Sequence, residues 1–418
     1  MTAITRVIEA NWPREVEFLR SLVRVPSDNP PGDCAAAAVA AATGLEALGF
    51  TVERHPVPDD LVRKNGMISA TNLIVRKTFG KGPGPVIALN AHGDVVPPGN
   101  GWTVDPYGAI ERNGKMYGRG VAVSKSDFAT YAFALLALEE SGLPLDGGVE
   151  LHFTYDEEAG GEIGPKWLIE EGLTKANYAI SAGFSYAITT AHNGVLHLEV
   201  TVKGKQAHAA MPSSGSDALE ATVPVLAAIY EERKRLAKLV SVEKGIGSPQ
   251  ITVGLISGGI NTNVVPDRIV LRLDRRIIPE ETGTEVETAL IRLIENAAPK
   301  GQGITVECRR IMLAEPLRPL KGTERLVKAI SDHTAKILGT SVEATGVPLY
   351  TDARHYAAAG IPTILYGAGP RSILEANAHG ADEHLRLSDL RAATEIVAEA
   401  LADLLAPGQK PAFTRQTT

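Results

Sequence analysis

The chain has 418 residues, which at roughly 100–200 residues per domain allows two or three domains with a substantial core. Apolar residues make up 44% and charged residues 22%, close to globular averages, which excludes wholesale disorder and a fibrous repeat. The net charge is −7 and no basic block stands out, which excludes the usual electrostatic footprint for nucleic acid. Two cysteines, Cys34 and Cys308, make no disulfide framework, so the expected compartment is the cytoplasm. The N-terminus lacks the apolar run of a secretory signal. The Ala-rich stretch 35–42 is far shorter than the ~20 residues that cross a bilayer, so no membrane partner is expected.

Ile4, Val7, Ile8, Phe18, Leu19, Leu22 and Val23 recur at helical spacing and predict a helix over 3–23, with Pro13 starting a second helical piece. The run 26–32 breaks it. Asp33 reads as the cap of the Ala-rich helix that follows, and Gly49 as its left-handed end. Strands are expected over 50–54, 73–77 and 86–89, the last apolar on both faces as in a sheet covered on both sides. A helix over 127–141 and a strand over 149–154, ending in Asp156-Glu157-Glu158, continue an α/β alternation. From about residue 193 the order becomes strand 195–202, helix 217–239, strands 251–256 and 268–275, helix 283–298 and strand 304–308, a split two-layer motif. The first pattern resumes with helix 323–338, strand 361–366 and helix 388–405. The expected organisation is a discontinuous larger domain, 1–192 plus 310–418, with residues 193–309 inserted.

Three segments carry candidate chemistry. His92 and Asp94, at the end of an apolar strand, are two residues apart and leave the same face, where a carboxylate can orient a metal-binding imidazole. A His-Asp pair that simply ends a strand would look the same. Asp156, Glu157 and Glu158 repel one another unless solvated or neutralised, so they form either a wet acidic turn or half of a metal site. Adjacent glutamates can divide the labour, one binding a cation and the other taking a proton from water. His379 lies in the glycine-bounded loop Asn377-Ala378-His379-Gly380. The nearby Gly367-Ala368-Gly369-Pro370 turn lacks the third glycine of a dinucleotide fingerprint. No G-x-S-x-G elbow occurs and neither cysteine lies in these motifs, which disfavours serine or cysteine nucleophiles.

The segments HGDVVPPG, GRGVAVSKSD, TYDEEAGG, TVKGKQAHAAMP, NTNVVPD, YTDARHY and NAHGADE stand in an order and at separations that resemble the M20 metallopeptidase family over nearly the whole chain. That family includes acetylornithine deacetylase, succinyl-diaminopimelate desuccinylase, the aminoacylases and the glutamate carboxypeptidases. The resemblance implies an α/β zinc-peptidase-like catalytic domain with an inserted ferredoxin-like α+β lid, and a homodimer or higher homo-oligomer formed through that lid. It implies His92, Glu158 and His379 as metal ligands, Asp94 as the partner that orients His92, and Glu157 as general base. It further implies that His208 reaches a neighbouring subunit's site to stabilise an oxyanion, that Asn263 binds a substrate carbonyl or carboxylate, and that Arg276 pairs with a substrate carboxylate.

The chain departs from the family pattern at two places. Val123 stands where the metal-bridging Asp is expected, and Gly183 where a further carboxylate ligand is expected; no Asp or Glu lies between Glu171 and Glu199. Two closely spaced dications would then repel with less carboxylate between them, so one divalent cation per chain, Mn²⁺ or Zn²⁺, is expected rather than two. Asp127 reads as a helix cap, and His152, alternating with Thr154 and Asp156, as a side chain that could face the metal. The leading function is hydrolysis of a C–N bond in a small carboxylate-bearing substrate, an N-acyl amino acid or dipeptide. The alternative is hydrolytic deamination of an aromatic amine such as 5-nitroanthranilate. A metal-free binding protein on the same scaffold stands third, disfavoured by Glu157, a poor lining for a pure binding pocket.

Overall fold

The apolar run that begins at Val86 becomes the strand Val86–His92, at the centre of the sheet on which the candidate site is built. In this computed structural model, which describes residues 1–301, 303–372 and 374–411, the chain divides into two compact units. One comprises Met1–Thr190, Pro319–Thr345 and the chain from Thr351 on; the other comprises Ala191–Arg318 and Gly346–Tyr350.

In the first unit, six strands run in the order Val52–Pro56, Thr71–Phe79, Gly147–Thr154, Val86–His92, Tyr178–Ser181 and Thr363–Leu365. Val86–His92 pairs in parallel with Gly147–Thr154 on one side and with Tyr178–Ser181 on the other. Alternate side chains serve opposite faces. Ile87, Leu89, Val149, Leu151 and Phe153 join the main core with the helices Ala3–Val23, Lys125–Glu140 and Leu387–Leu404, whereas Ala88 packs with Tyr356 and Ile361 in a separate cluster. The register sets His92 beside Thr154, so the segments that follow the two strands are neighbours. Gly93 N–H donates to the Thr154 carbonyl at 2.8 Å. A Cβ at Gly93 would stand 2.5 Å from the Tyr155 ring, so only glycine lets the two strand ends approach this closely.

Most expected elements form within a few residues of their sequence limits, and the exceptions have physical causes. Pro13 lies inside one continuous helix, Ala3–Val23, and does not start a second piece; the buried stripe Ile4, Ile8, Phe18, Leu19 and Leu22 outweighs the one backbone hydrogen bond that proline removes. Asp33 does not cap the helix Ala35–Ala47. Its Oδ1 instead accepts from Ser69 Oγ at 2.6 Å, and that hydroxyl takes the Ala35 N–H at 2.9 Å. The cap thus comes from 34 residues away.

The second unit is a four-stranded antiparallel sheet in the order Gln250–Gly258, Arg268–Ile277, Gly194–Lys203 and Thr305–Ala314. The helices Ala218–Leu236 and Gly283–Ala297 share a core with Leu196, Leu198, Val200, Val202, Leu271 and Leu273. Asp217 caps the first helix, accepting from Leu219 N and Glu220 N at 2.8 and 3.0 Å.

In the first unit, a buried polar chain crosses the sheet face opposite the main core. Arg76 pairs with Glu150, Thr174 Oγ1 donates to Glu150 at 2.8 Å, His152 Nε2 lies 3.1 Å from it, and His152 Nδ1 lies 2.8 Å from the Tyr356 hydroxyl. Burial alone would raise the Glu150 carboxyl, but His152, Thr174 and Arg76 outweigh it and hold the carboxyl down to about 2. A carboxyl lowered on folding stabilises the fold above its unfolded value near 4.5 and loses that contribution as pH falls toward 2. The contribution is about 3 kcal/mol in full. Urea unfolding of Glu150→Gln should therefore show a deficit against the parent at pH 6 that shrinks steadily between pH 4.5 and the acid limit of folding.

Candidate metal centre

The two strand ends supply the core of the site. His92 closes Val86–His92, and Asp156, Glu157 and Glu158 follow Gly147–Thr154 directly, the two glutamates entering a short 3-10 turn over Glu157–Ala159. One ligand atom from each of His92, Glu157 and Glu158 lies within 4.8 Å of the others. His92 Nε2 is 4.0 Å from Glu157 Oε2. His379 reaches the same turn from a distant loop, with Nε2 3.3 Å from Glu158 Oε1. This contact has ion-pair distance without hydrogen-bond geometry: among the described residues, buried Glu158 Oε1 has no hydrogen-bond partner.

Asp94 does more than orient His92. The imidazole Nδ1 lies 3.0 Å from the Asp94 backbone carbonyl and 3.3 Å from its Oδ1. The fully buried carboxylate also accepts Asn29 Nδ2 at 2.9 Å, Glu157 N–H at 3.2 Å and Glu158 N–H at 3.1 Å. It therefore fixes the backbone of the acidic turn as well as the ring facing it.

The electrostatics are those of a site short of positive charge. Burial lifts the Glu157 carboxyl to about 7, with Glu158 and Asp94 adding and His92 opposing. Asp156 is pushed up to about 7 by burial and by Asp94. Burial works against a charged His92, yet Glu157, Asp94 and Glu158 together hold its imidazole well above the usual range. The donor set, imidazole plus carboxylate oxygens with buried Glu158 Oε1 making no hydrogen bond among the described residues, fits a divalent cation.

Position 123 carries a half-buried valine packed on the core. At position 183 a Cβ would stand 2.6 Å from Tyr366 N and 2.7 Å from Leu365 C, so this backbone has no room for any side chain there. Asp127 is not a cap: it lies inside the helix Lys125–Glu140, and its Oδ1 accepts the Ala368 N–H at 2.7 Å. A Cβ on Gly367 would stand 1.9 Å from that oxygen, so the carboxylate fits only against glycine. Burial raises Asp127 to about 7, with the Ala368 N–H and His92 opposing. His152 shares the expected strand face but does not turn to the metal centre, because Glu150 and Tyr356 take both of its ring nitrogens.

The substrate-binding candidates all lie in the second unit. Exposed His208 and Asn263 are on paired loops: His208 bridges to Val264, and Ala209 N–H donates to the Asn263 carbonyl at 3.0 Å. His208 Nδ1 accepts the Ala210 N–H at 3.1 Å, which puts the proton of the neutral ring on Nε2. Arg276 gives Nε and Nη2 to Asp274 at 2.9 and 3.1 Å.

Sequence reasoning passed over the pair that holds the His379 loop. His379 itself has φ +62°, and Asn377 and Asp382 are also left-handed, a strained path for non-glycine residues. The loop is anchored by Glu383, whose carboxylate accepts Arg119 Nη1 at 2.6 Å and the N–H groups of Gly120, Ala122 and Val123 at 3.2, 2.9 and 3.2 Å. Arg119 also donates to the carbonyls of Pro98 and Gly380 at 3.2 and 3.1 Å. Both residues sit inside quoted motifs, GRGVAVSKSD and NAHGADE, and an Arg and a Glu in such glycine-bounded segments was the available signal.

Comparison with known proteins places this geometry in context. Residues 88–403 match the model of peptidase family M20/M25/M40. The chain is 27% identical over 393 residues to a succinyl-diaminopimelate desuccinylase of Gluconobacter oxydans, covering 91% of this chain and 95% of the relative. It is 29% identical over 370 residues to an acetylornithine deacetylase of Myxococcus xanthus, covering 86% and 89%. Its fold matches the crystal structure of an M20 family metallo-carboxypeptidase from Sulfolobus solfataricus with a TM-score of 0.74 and 18% identity, over 94% of this chain and 98% of the other.

Breaking a buried ion pair from one side leaves the other charge uncompensated and costs about 3–5 kcal/mol. Glu383→Gln should lower unfolding stability by that amount. Because the loop that carries the candidate ligand His379 loses its anchor, it should also weaken any divalent-cation binding at this site, read by competition with a chelator, by roughly 10–100-fold.

Proposed function

Since the chain belongs to peptidase family M20/M25/M40, we propose that it is a metal-dependent hydrolase that cleaves a C–N bond in a small, carboxylate-bearing substrate, an N-acyl amino acid or a dipeptide. The observation that carries this reading is the meeting of His92, Glu157 and Glu158 within 4.8 Å, with His379 against Glu158. The deacylases among its relatives support the substrate class.

His92, Glu158 and His379 would hold one divalent cation per chain, Mn²⁺ or Zn²⁺, which when bound polarises the scissile carbonyl and acidifies water. Glu157, held beside His92 by the Asp94 clamp, receives the proton of the attacking water and delivers it to the departing nitrogen. The acyl carbon gains the water oxygen, the C–N bond breaks, and the amine leaves with the proton Glu157 carried. His208 would reach a neighbouring subunit's site, where an Nε2–H donor suits negative charge developing on the carbonyl oxygen, and the Asn263 amide would bind the substrate carbonyl or carboxylate. Arg276 would meet the substrate carboxylate through Nη1, its Nε–H and one Nη2–H being given to Asp274.

The second unit would serve as the assembly surface. Leu255 and Ile256 on the edge strand Gln250–Gly258, and Leu219, Val223 and Tyr230 on the helix Ala218–Leu236, are large apolar side chains left exposed. A second copy pairing along that edge would cover them. Among the described residues, no helix is long and apolar enough to cross a membrane. Both cysteines are free thiols, which suits a reducing compartment such as the cytoplasm.

Purified protein should release free amine from N-acyl amino acids or dipeptides. Activity should vanish on chelation and return with Mn²⁺ or Zn²⁺. Glu157→Gln should lower kcat by about 10²–10⁴-fold while the metal stays bound. Full activity in that variant, or indifference to chelation, would overturn the mechanism; ammonia released from anthranilate-type amines in place of amine from amides would move the chemistry to deamination. For the assembly, light scattering should give a dimer mass for the parent and a monomer mass for Leu255→Lys/Ile256→Glu.

A further inference from the structure

Asp352 stands at the start of the helix Ala353–Ala358, yet its side chain makes no capping bond to that helix. The residue is 3% exposed, and among the described residues neither carboxylate oxygen has a hydrogen-bond partner. Leaving both oxygens of a carboxylate buried and without donors is costly. The side chain lies against the acidic turn: its Oδ1 is 2.2 Å from where a Cβ would stand on Gly161, three residues beyond Glu158. Its carboxyl is held well above the usual range, first by burial, then by Glu157 and Asp156, with His92 and Arg354 opposing. Glu158 Oε1, in the same turn, is also buried and makes no hydrogen bond among the described residues, with His379 Nε2 3.3 Å away. Asp352 therefore brings two buried acceptors without donors up against the acidic turn that carries Glu157 and Glu158.

The chain has no carboxylate at position 123 and no room for one at position 183. Anionic charge toward a cation in this site has to come from elsewhere. Asp352 lies outside the trio whose ligand atoms fall within 4.8 Å of one another, and its Oδ1 faces Gly161, three residues beyond Glu158. Resting on the cation site proposed above, we propose that Asp352 is an outer carboxylate of that site, holding water of the bound cation and supplying the negative charge that Val123 and Gly183 do not. It is a positioning residue, acting on the cation through its hydration and not on the substrate.

A partnerless carboxylate that serves a cation has opposite effects in the two forms of the protein: it burdens the metal-free chain and strengthens the loaded one. Asp352→Asn and Asp352→Ser remove the charge without adding bulk. Calorimetric titration and chelator competition with Mn²⁺ should show both variants binding about 10–100-fold more weakly than the parent. Their metal-free forms should melt at the same temperature as the metal-free parent or higher, so that the rise in Tm on adding Mn²⁺ shrinks. Affinity within twofold of the parent in both variants, or metal-free variants that melt lower or fail to fold, would show Asp352 to be structural and overturn the assignment. His92→Ala separates the two levels. If the parent binds Mn²⁺ with an affinity that His92→Ala abolishes while the Asp352 variants keep it, only the role of Asp352 falls. If the parent shows no His92-dependent binding, the cation site falls and Asp352 with it.

Discussion

Crowding of like charge at the ends of two parallel strands is the constraint on which the rest of the first unit depends. Asp94, Asp156, Glu157, Glu158 and Asp352 influence one another there, in a region largely removed from water. In such surroundings carboxylates can stay ionised only where donors or cations compensate them. Asp94 has its compensation built in, from Asn29 and two backbone N–H groups. Asp156 has the Ile163 N–H at 2.7 Å, whereas Asp352 has no hydrogen-bond donor among the described residues. Burial first, then their acidic neighbours, raise the carboxyls of Asp156, Glu157 and Asp352, while Glu157, Asp94 and Glu158 raise the imidazole of His92 against its burial. Such a cluster is relieved by positive charge, which is what the cation proposed for it would bring.

The same arrangement joins stability to chemistry. The loop that brings His379 to Glu158 passes through three left-handed non-glycine residues, and a free segment would relax away from that path. It is kept there because Glu383 gathers Arg119 and three backbone N–H groups, while Asp382 accepts Thr103 N–H and Oγ1 at 2.8 and 2.9 Å. Arg119 and Glu383 are each 1% exposed at the side chain. Their pairing costs desolvation and returns position, which is the best-attested use of a buried ion pair.

The departures at 123 and 183 have a structural logic as well. Tyr366 and Leu365 press so close to Gly183 that a side chain has no space, while the buried Asp127 carboxylate fits against Gly367 and accepts the Ala368 N–H. Position 183 thus carries no carboxylate, and Asp127 is a buried acidic residue held by its own donor nearby.

Residue order alone specified the pieces. Apolar runs with the period of two or of 3.6 predicted the strand leading to His92, the strand leading to Glu157, and the helices over 3–23, 323–337 and 387–404 within a few residues, because these periods express which side of one element faces the core. His92, Glu157 and Glu158 stood out as a His and adjacent carboxylates at the ends of buried strands, whereas His379 and the ligand roles came only from the family resemblance. Contacts between distant segments were not legible. Ser69 caps a helix in place of Asp33, Glu150 and Tyr356 take His152 away from the metal centre, Ala368 takes Asp127 away from capping, and Glu383 grips Arg119 from 264 residues away. A local pattern can say that a polar side chain needs a partner. Only the packed fold, by setting which chain segments share a low-dielectric space, decides which partner it finds and which carboxylates are left waiting for a cation.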